Sequence, residues 1–278
     1  MAKRDRKNYP ALQADAVLSG MDLMKYDAIN VGEGELSLGT GFFQDMAAKI
    51  TVPFVSANIA GREGGLPLIM PYLLKEFGPV RVGITGITSS IFFKEDFLEK
   101  EGIEVKGPVR ALQEALDELR GKTDIIILLS HLGYQGTVNL FRYNQLPGVD
   151  VAIAGHGRKL LNRPEEINGT IIVQSSLTGQ YLGRLVLTLG PDRSIRKYEG
   201  DVVALTKDTP EDQRAVEIME EFKERKREEK ERLGEEKKRR ELREQQTKYL
   251  KMTPQEFLEM MKRENEKGGT SGQFPAVP

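Results

Sequence analysis

Up to about residue 205 the chain alternates short apolar runs with amphipathic stretches, whereas beyond residue 209 polar and charged positions dominate. Strand candidates are "DAINVG" (27–32), "FVSANI" (54–59), "VRVGITGIT" (80–88), "DIIILLSHLG" (124–133), "DVAIAGHG" (150–157), "GTIIVQSS" (169–176) and "GRLVLTLG" (183–190). Several are continuous β-branched runs, as strands buried on both faces require. Between them, "PVRALQEALDELRGKT" has helical spacing, a Pro in its first turn and a Gly past its end. This alternation predicts a layered α/β sheet. The segment "EEINGTIIV" carries an Asn-Gly turn signal, so an antiparallel portion is expected to close the domain. Asn168-Gly169-Thr170 is also a glycosylation sequon, and the hairpin is the reading favoured by its surroundings.

The pattern divides the chain into a domain over 1–205, a charged solvent-exposed helix over 209–250, a short amphipathic helix over 253–267 and a flexible tail over 268–278. In the charged helix, apolar residues recur at helical spacing only at its start, at Val216, Met219 and Phe222. Glu→Arg pairs four apart follow at Glu221/Arg225, Glu228/Arg232, Glu235/Arg239 and Glu236/Arg240. Each such pair adds ~0.2–0.5 kcal/mol to an isolated helix, and without a heptad seam a self-supporting helix is favoured over a coiled coil. Gly234 is its weak point, at ~1 kcal/mol against Ala. The next helix is signalled by Thr253 as N-cap, Pro254 at its first position and Glu256 closing a capping box. Its apolar Phe257, Leu258, Met260 and Met261 predict docking to a protein partner or a second copy of the chain.

Composition narrows the function. A formal net charge of -1 disfavours a nucleic-acid binder, which normally shows a basic excess. The absence of Cys removes disulfides, thiolate metal sites and covalently attached c-type haem. No apolar stretch reaches the ~18 residues of a membrane span, and no signal peptide is visible, so the chain as written reads as cytoplasmic. "GREGG" (61–65) reads as a turn, and "GITGITSS" lacks the Lys and spacing of a P-loop. Tyr134 and Arg142 lie close enough to His131 in sequence to face a shared cleft, without being placed by it.

The chain has two histidines, His131 and His156, each near the C-terminal end of a strand candidate, the edge where open α/β sheets bind ligands. The ordered series "YDAINVGEGELSLG", "FVSANI", "VRVGITGITSS", "DIIILLSHLGYQG", "DVAIAGHGR" and "IIVQSSLTGQYLGRLVL" resembles the calcineurin-like metallophosphoesterase domain of the 5'-nucleotidase/2',3'-cyclic phosphodiesterase family, over about residues 11 to 200. The resemblance implies a metallophosphoesterase-like α/β/β/α sandwich, here followed by the charged helical arm. It also implies two divalent metals at the strand ends, with a metal-activated water attacking phosphorus.

Carried over residue by residue, the resemblance is incomplete. The family's opening Asp-x-His strand and bridging Gly-Asp have no counterpart here. Its Gly-Asn-His-Glu block reads Gly32-Glu33-Gly34-Glu35, replacing the amide ligand by a carboxylate and the catalytic imidazole by glycine. The Ser-His-Leu-Gly block is intact and gives His131; Gly-His-x-His survives as Gly155-His156-Gly157-Arg158, with Arg158 at a first-metal position. Glu33, His131 and His156 therefore form the candidate remnant of the second-metal site, and Arg158 is an anion-binding candidate. The favoured expectation is a degenerate, inactive domain without cofactor, serving as a structural or partner-docking module, in which Arg158 pairs with Glu33 or Glu35. The alternatives are a site holding one divalent metal (Zn, Mn or Fe) weakly or an anion, and a phosphoesterase whose missing ligands lie outside this chain. The family is usually periplasmic or extracellular.

Overall fold

Helix α1 (Asn8–Leu23) leads into β1 (Ile29–Asn30), the short α2 (Glu33–Leu36) and α3 (Thr40–Ala47). Strands β2 (Phe54–Val55), β3 (Ile59–Gly61), β4 (Ile69–Met70), β5 (Tyr72–Phe77) and β6 (Val80–Thr88) follow. A 3-10 turn (Ser90–Phe92), α4 (Glu95–Glu101), β7 (Ile103–Val105) and α5 (Pro108–Leu119) precede β8 (Ile125–His131), α6 (Gly133–Tyr143) and β9 (Val151–Ala154). The remaining strands are β10 (Glu165–Ile167), β11 (Thr170–Val173), β12 (Tyr181–Leu189) and β13 (Ile195–Ala204), followed by α7 (Gln213–Lys251) and α8 (Pro254–Glu266). The computed structural model describes residues 8–62, 66, 68–176 and 178–266. Residues 63–65 of the "GREGG" turn and the tail 268–278 lie outside them.

The chain divides into two compact units, one over Pro10–Phe222 and one made of Met1–Tyr9 with Lys223–Pro278. The first is an α/β/β/α sandwich. Its main sheet has the order β10-β11-β9-β8-β6-β5, with β11, β9, β8 and β6 parallel and an antiparallel strand at each edge. One face carries Ile87, Ile126, Leu128, Ala152 and Ile172 onto α5 and α6, which answer with Leu112, Leu116, Val138 and Phe141. Period-2 alternation sends Val82, Ile84 and Ile125 to the other face, against Leu187, Leu189 and Ile195 of the β12–β13 ribbon. On that side the parallel sheet β1-β2-β4 packs against β6 and β8, and Leu36, Phe43, Phe54 and Ile103 build a second core beneath α1 to α4.

The strands read as continuous apolar runs hold their places, with β6 over the full Val80–Thr88. Two expectations change. The strand over 27–32 shrinks to Ile29–Asn30, and "FVSANI" breaks into β2 and β3, which join different sheets. Asn58 causes the break: it is fully buried, its Nδ2 donates to the carbonyls of Thr88 and Lys106, and its Oδ1 accepts the Thr88 N–H. The Asn168-Gly169 turn closes the β10–β11 hairpin with both residues at positive φ, and the Asn168 amide donates to the Phe141 carbonyl.

Asp124 staples the ribbon to the sheet. It accepts the Arg81 N–H at 2.8 Å and ion-pairs with the guanidinium groups of Arg81 and of Arg193, in the β12–β13 turn. These bonds, that of Arg81 first, hold its carboxyl down from 3.8 to about 2.

In the second unit, the part of α7 from Lys223 onward has no buried residue among those described. Some expected ion pairs are exchanged: Arg232 pairs with Glu229 and Glu236, and Arg240 with Glu244. The cap of α8 forms as read, with Glu256 accepting the Thr253 N–H at 2.8 Å and Thr253 Oγ1 accepting the Glu256 N–H at 3.3 Å.

Candidate metal centre

Strands β1, β6, β8 and β9 end on one edge of the first unit, and each delivers one piece of the site. β1 runs into Gly32 and α2; β8 ends on His131; β9 is followed within two residues by His156; β6 leads to the 3-10 turn bearing Phe92. The Asn30 amide, donating to the Ile87 carbonyl at 2.9 Å, ties the end of β1 to β6. Glu33 therefore stands at a fixed distance from strands far away in sequence.

The structure brings Glu33, His131 and His156 together. His131 Nε2 lies 2.7 Å from Glu33 Oε2 and 3.1 Å from His156 Nδ1, and His156 Nδ1 lies 3.2 Å from Glu33 Oε1. Close approach depends on Gly32, where a Cβ would meet His131 Nε2 at 2.7 Å. His156 has φ +52, a left-handed conformation that costs a residue with a Cβ about 1–2 kcal/mol. Its backbone is held from behind, since the neighbouring Gly155 N–H donates to the Ser130 carbonyl at 2.8 Å. The three side chains are 33, 23 and 36% exposed in the order Glu33, His131, His156, so the centre opens to solvent on one side.

The two carboxylates of α2 have separate tasks. Successive helical residues point about 100° apart, so Glu33 and Glu35 lie about 160° apart around the helix axis. Glu33 faces the imidazoles, while Glu35 turns back to accept the Gly32 N–H at 2.8 Å. The expected pairing of Arg158 with either glutamate does not form. Arg158 is exposed, holds no ion pair among the described residues, and sits on a loop whose carbonyl accepts the Ser176 hydroxyl at 3.1 Å. Tyr134 is engaged elsewhere. Its hydroxyl donates to Glu165 at 2.7 Å, which raises its pKa, and Lys159 lies over its ring.

Two imidazole nitrogens and a carboxylate suit zinc, manganese or iron, with positions left for water or substrate. All three donors lie within 4.8 Å of one another. Tetrahedral donors about 2.1 Å from zinc stand about 3.4 Å apart, so the observed spacings need about 0.2–0.7 Å of opening, the most between His131 and Glu33. The residues fit one divalent ion.

Comparison with known proteins gives these positions a context. The uncharacterized metallophosphoesterase YunD of Bacillus subtilis is 27% identical over 181 residues, covering 64% of this chain and 38% of that protein. A 5'-nucleotidase of Vibrio cholerae is 27% identical over 201 residues, covering 62% of this chain and 36% of its own. The crystal structure of a 5'-nucleotidase precursor from Thermus thermophilus superposes with a TM-score of 0.65 at 28% identity, over 74% of this chain and 44% of that one. The chain is thus similar, in sequence and in fold, to 5'-nucleotidases and calcineurin-like metallophosphoesterases. It spans little more than a third of the length of these curated relatives, and no family model matches it.

The three residues that the sequence resemblance assigns to a second-metal site are the ones that converge. Arg158, which the resemblance sets at a first-metal position, is exposed and pairs with none of the three. Phe92, which packs on both imidazoles, was missed from the sequence. The signal available was a double phenylalanine, "SSIFFKEDF", placed directly after a buried strand.

Proposed function

We propose that this is a degenerate metallophosphoesterase domain, inactive as a hydrolase, whose two-metal centre is reduced to one weak divalent-cation site held by Glu33, His131 and His156. The observation that carries this reading is the convergence of those three donors within 4.8 Å while the cation Arg158 stands at a first-metal sequence position. A bound ion would supply positive charge that attracts and polarises an oxyanion. Phosphoryl transfer in a two-metal site needs both the attacking and the leaving oxygen stabilised, and one ion supplies half of that clamp. Arg158 adds a planar, permanently charged donor suited to phosphate or carboxylate. The names of relatives make a nucleoside monophosphate the first anion to try.

Calorimetric titration with zinc and manganese tests this directly. One equivalent at most, abolished in His131→Ala, is the expected result. Hydrolysis of a generic phosphodiester and of nucleoside monophosphates should remain at background. Turnover that disappears in His131→Ala would restore the phosphoesterase reading, and a wild type that takes up no ion would leave a purely structural module.

A docking role for the C-terminal helices is the second reading. It is supported by Phe257 and Leu258, 39 and 60% exposed on α8. Sedimentation of the full chain against Leu258→Glu tests self-association: a species larger than the monomer, lost in the variant, is expected if a second copy is the partner.

A further inference from the structure

We infer that Phe92 is a positioning residue for this cation site, holding His156 so that Nδ1 faces Glu33 and His131; the inference rests on the one-ion reading above. The Phe92 ring stacks on the His156 ring with centroids 3.7 Å apart and planes 26° from parallel. It also meets the His131 ring edge-on, at 5.7 Å and 88°. Among the described residues it is the one aromatic side chain in ring contact with both imidazoles.

The 3-10 turn is built to present that ring. Phe93 packs into the core beneath α1 to α4 and anchors the turn, while Ile91 points outward at 81% exposure. The Phe92 N–H bonds back to the Ser89 carbonyl and the Phe93 N–H to the Ser90 carbonyl, closing the turn on itself. Phe92 is thereby left partly buried over the two histidines.

His156 needs such a wall. Its left-handed backbone fixes where the side chain starts but not the rotation of the ring, and among the described residues its ring's polar contacts are those to Glu33 and His131. A flipped imidazole would present a carbon to the centre in place of Nδ1. A flat ring stacked on one face restricts rotation and excludes water from that face, the task an outer hydrogen-bonding partner usually performs for a histidine ligand. The same contact predicts a spectroscopic signature, since protons over an aromatic face are shifted upfield.

The experiment compares Phe92→Leu and Phe92→Tyr with the wild type in the full chain, reading melting temperature, zinc affinity by chelator competition and the His156 ring-proton shifts by NMR. Phe92→Leu should lose zinc affinity about ten-fold or more and move the His156 resonances downfield, with Phe92→Tyr restoring both. A Phe92→Leu protein that binds zinc within about two-fold of the wild type would overturn the inference. If the wild type takes up no zinc, the one-ion reading fails by itself. The positioning claim is then decided by NOEs between the His156 and His131 ring protons, which support it if their pattern changes in Phe92→Leu and recovers in Phe92→Tyr, and sink it if the pattern stays.

Discussion

At the scale of single residues, neighbouring glycines are predicted to behave in opposite ways. Gly32→Ala places a Cβ 2.7 Å from His131 Nε2, so the imidazole must swing away from Glu33. Overpacking of this kind costs about 1–3 kcal/mol, and zinc affinity should fall with it. Gly34 lies in α2 with nothing within 4 Å of its Cβ position, and Ala there should be neutral or stabilising by up to about 1 kcal/mol. Denaturant unfolding and zinc titration on both variants check the contrast, and equal behaviour would refute the geometry. Residue identity made Glu33, His131 and His156 legible in the sequence, because ligand-type side chains recur in ordered blocks. What it hid was direction. Nothing in the string "GEGE" states that one glutamate enters the centre while the other caps its own turn, and nothing in "GHGR" sends Arg158 to solvent.

At the scale of elements, burial decided what could be read. Strands β6, β8, β9 and β11 lie inside the main sheet and are mostly apolar, so they show as runs. β5 and β13 went unread because each has one face in solvent and mixes charged residues with its apolar ones, Lys75 and Glu76 in β5 and Arg196, Lys197, Glu199 and Asp201 in β13. α1 was seen only as a stretch without signal-peptide character, since its apolar residues surround it without a clean stripe. The junction between ribbon and sheet could not be inferred at all, because its three charged members lie at 81, 124 and 193. Asp124 gives this junction a pH signature. Its folded pKa of about 2 is below the ordinary 3.8, so the stabilisation it gives is fully present above 3.8 and is lost as pH falls through 2. Asp124→Asn should therefore lower the melting temperature at pH 7, and the gap to the wild type should close between about pH 4 and pH 2. Thermal melts across that range decide it, and a gap independent of pH would assign the effect to packing alone.

At the scale of the whole molecule, the question is what keeps α7 helical. Its 39 residues make a rod of about 58 Å, far longer than the mean globular helix. None of its described residues is buried, so an apolar face does not account for it. What it has instead is a ladder of ion pairs three or four residues apart, including Arg227 to Glu224, Arg232 to Glu229, Lys237 to Glu241 and Arg240 to Glu244. At ~0.2–0.5 kcal/mol each, several such pairs offset the nucleation cost that leaves short isolated helices marginal. A peptide spanning 213–251 should thus be helical by circular dichroism, sediment as a monomer and lose helicity in 1 M salt, where the Debye length falls to about 3 Å. Gly234, with open space around its Cβ position, interrupts this ladder, and Gly234→Ala should raise the helicity by the equivalent of about 1 kcal/mol. Helicity that climbs with peptide concentration would instead mean that α7 is held by a partner helix, and the ion pairs would then be decoration on a coiled coil.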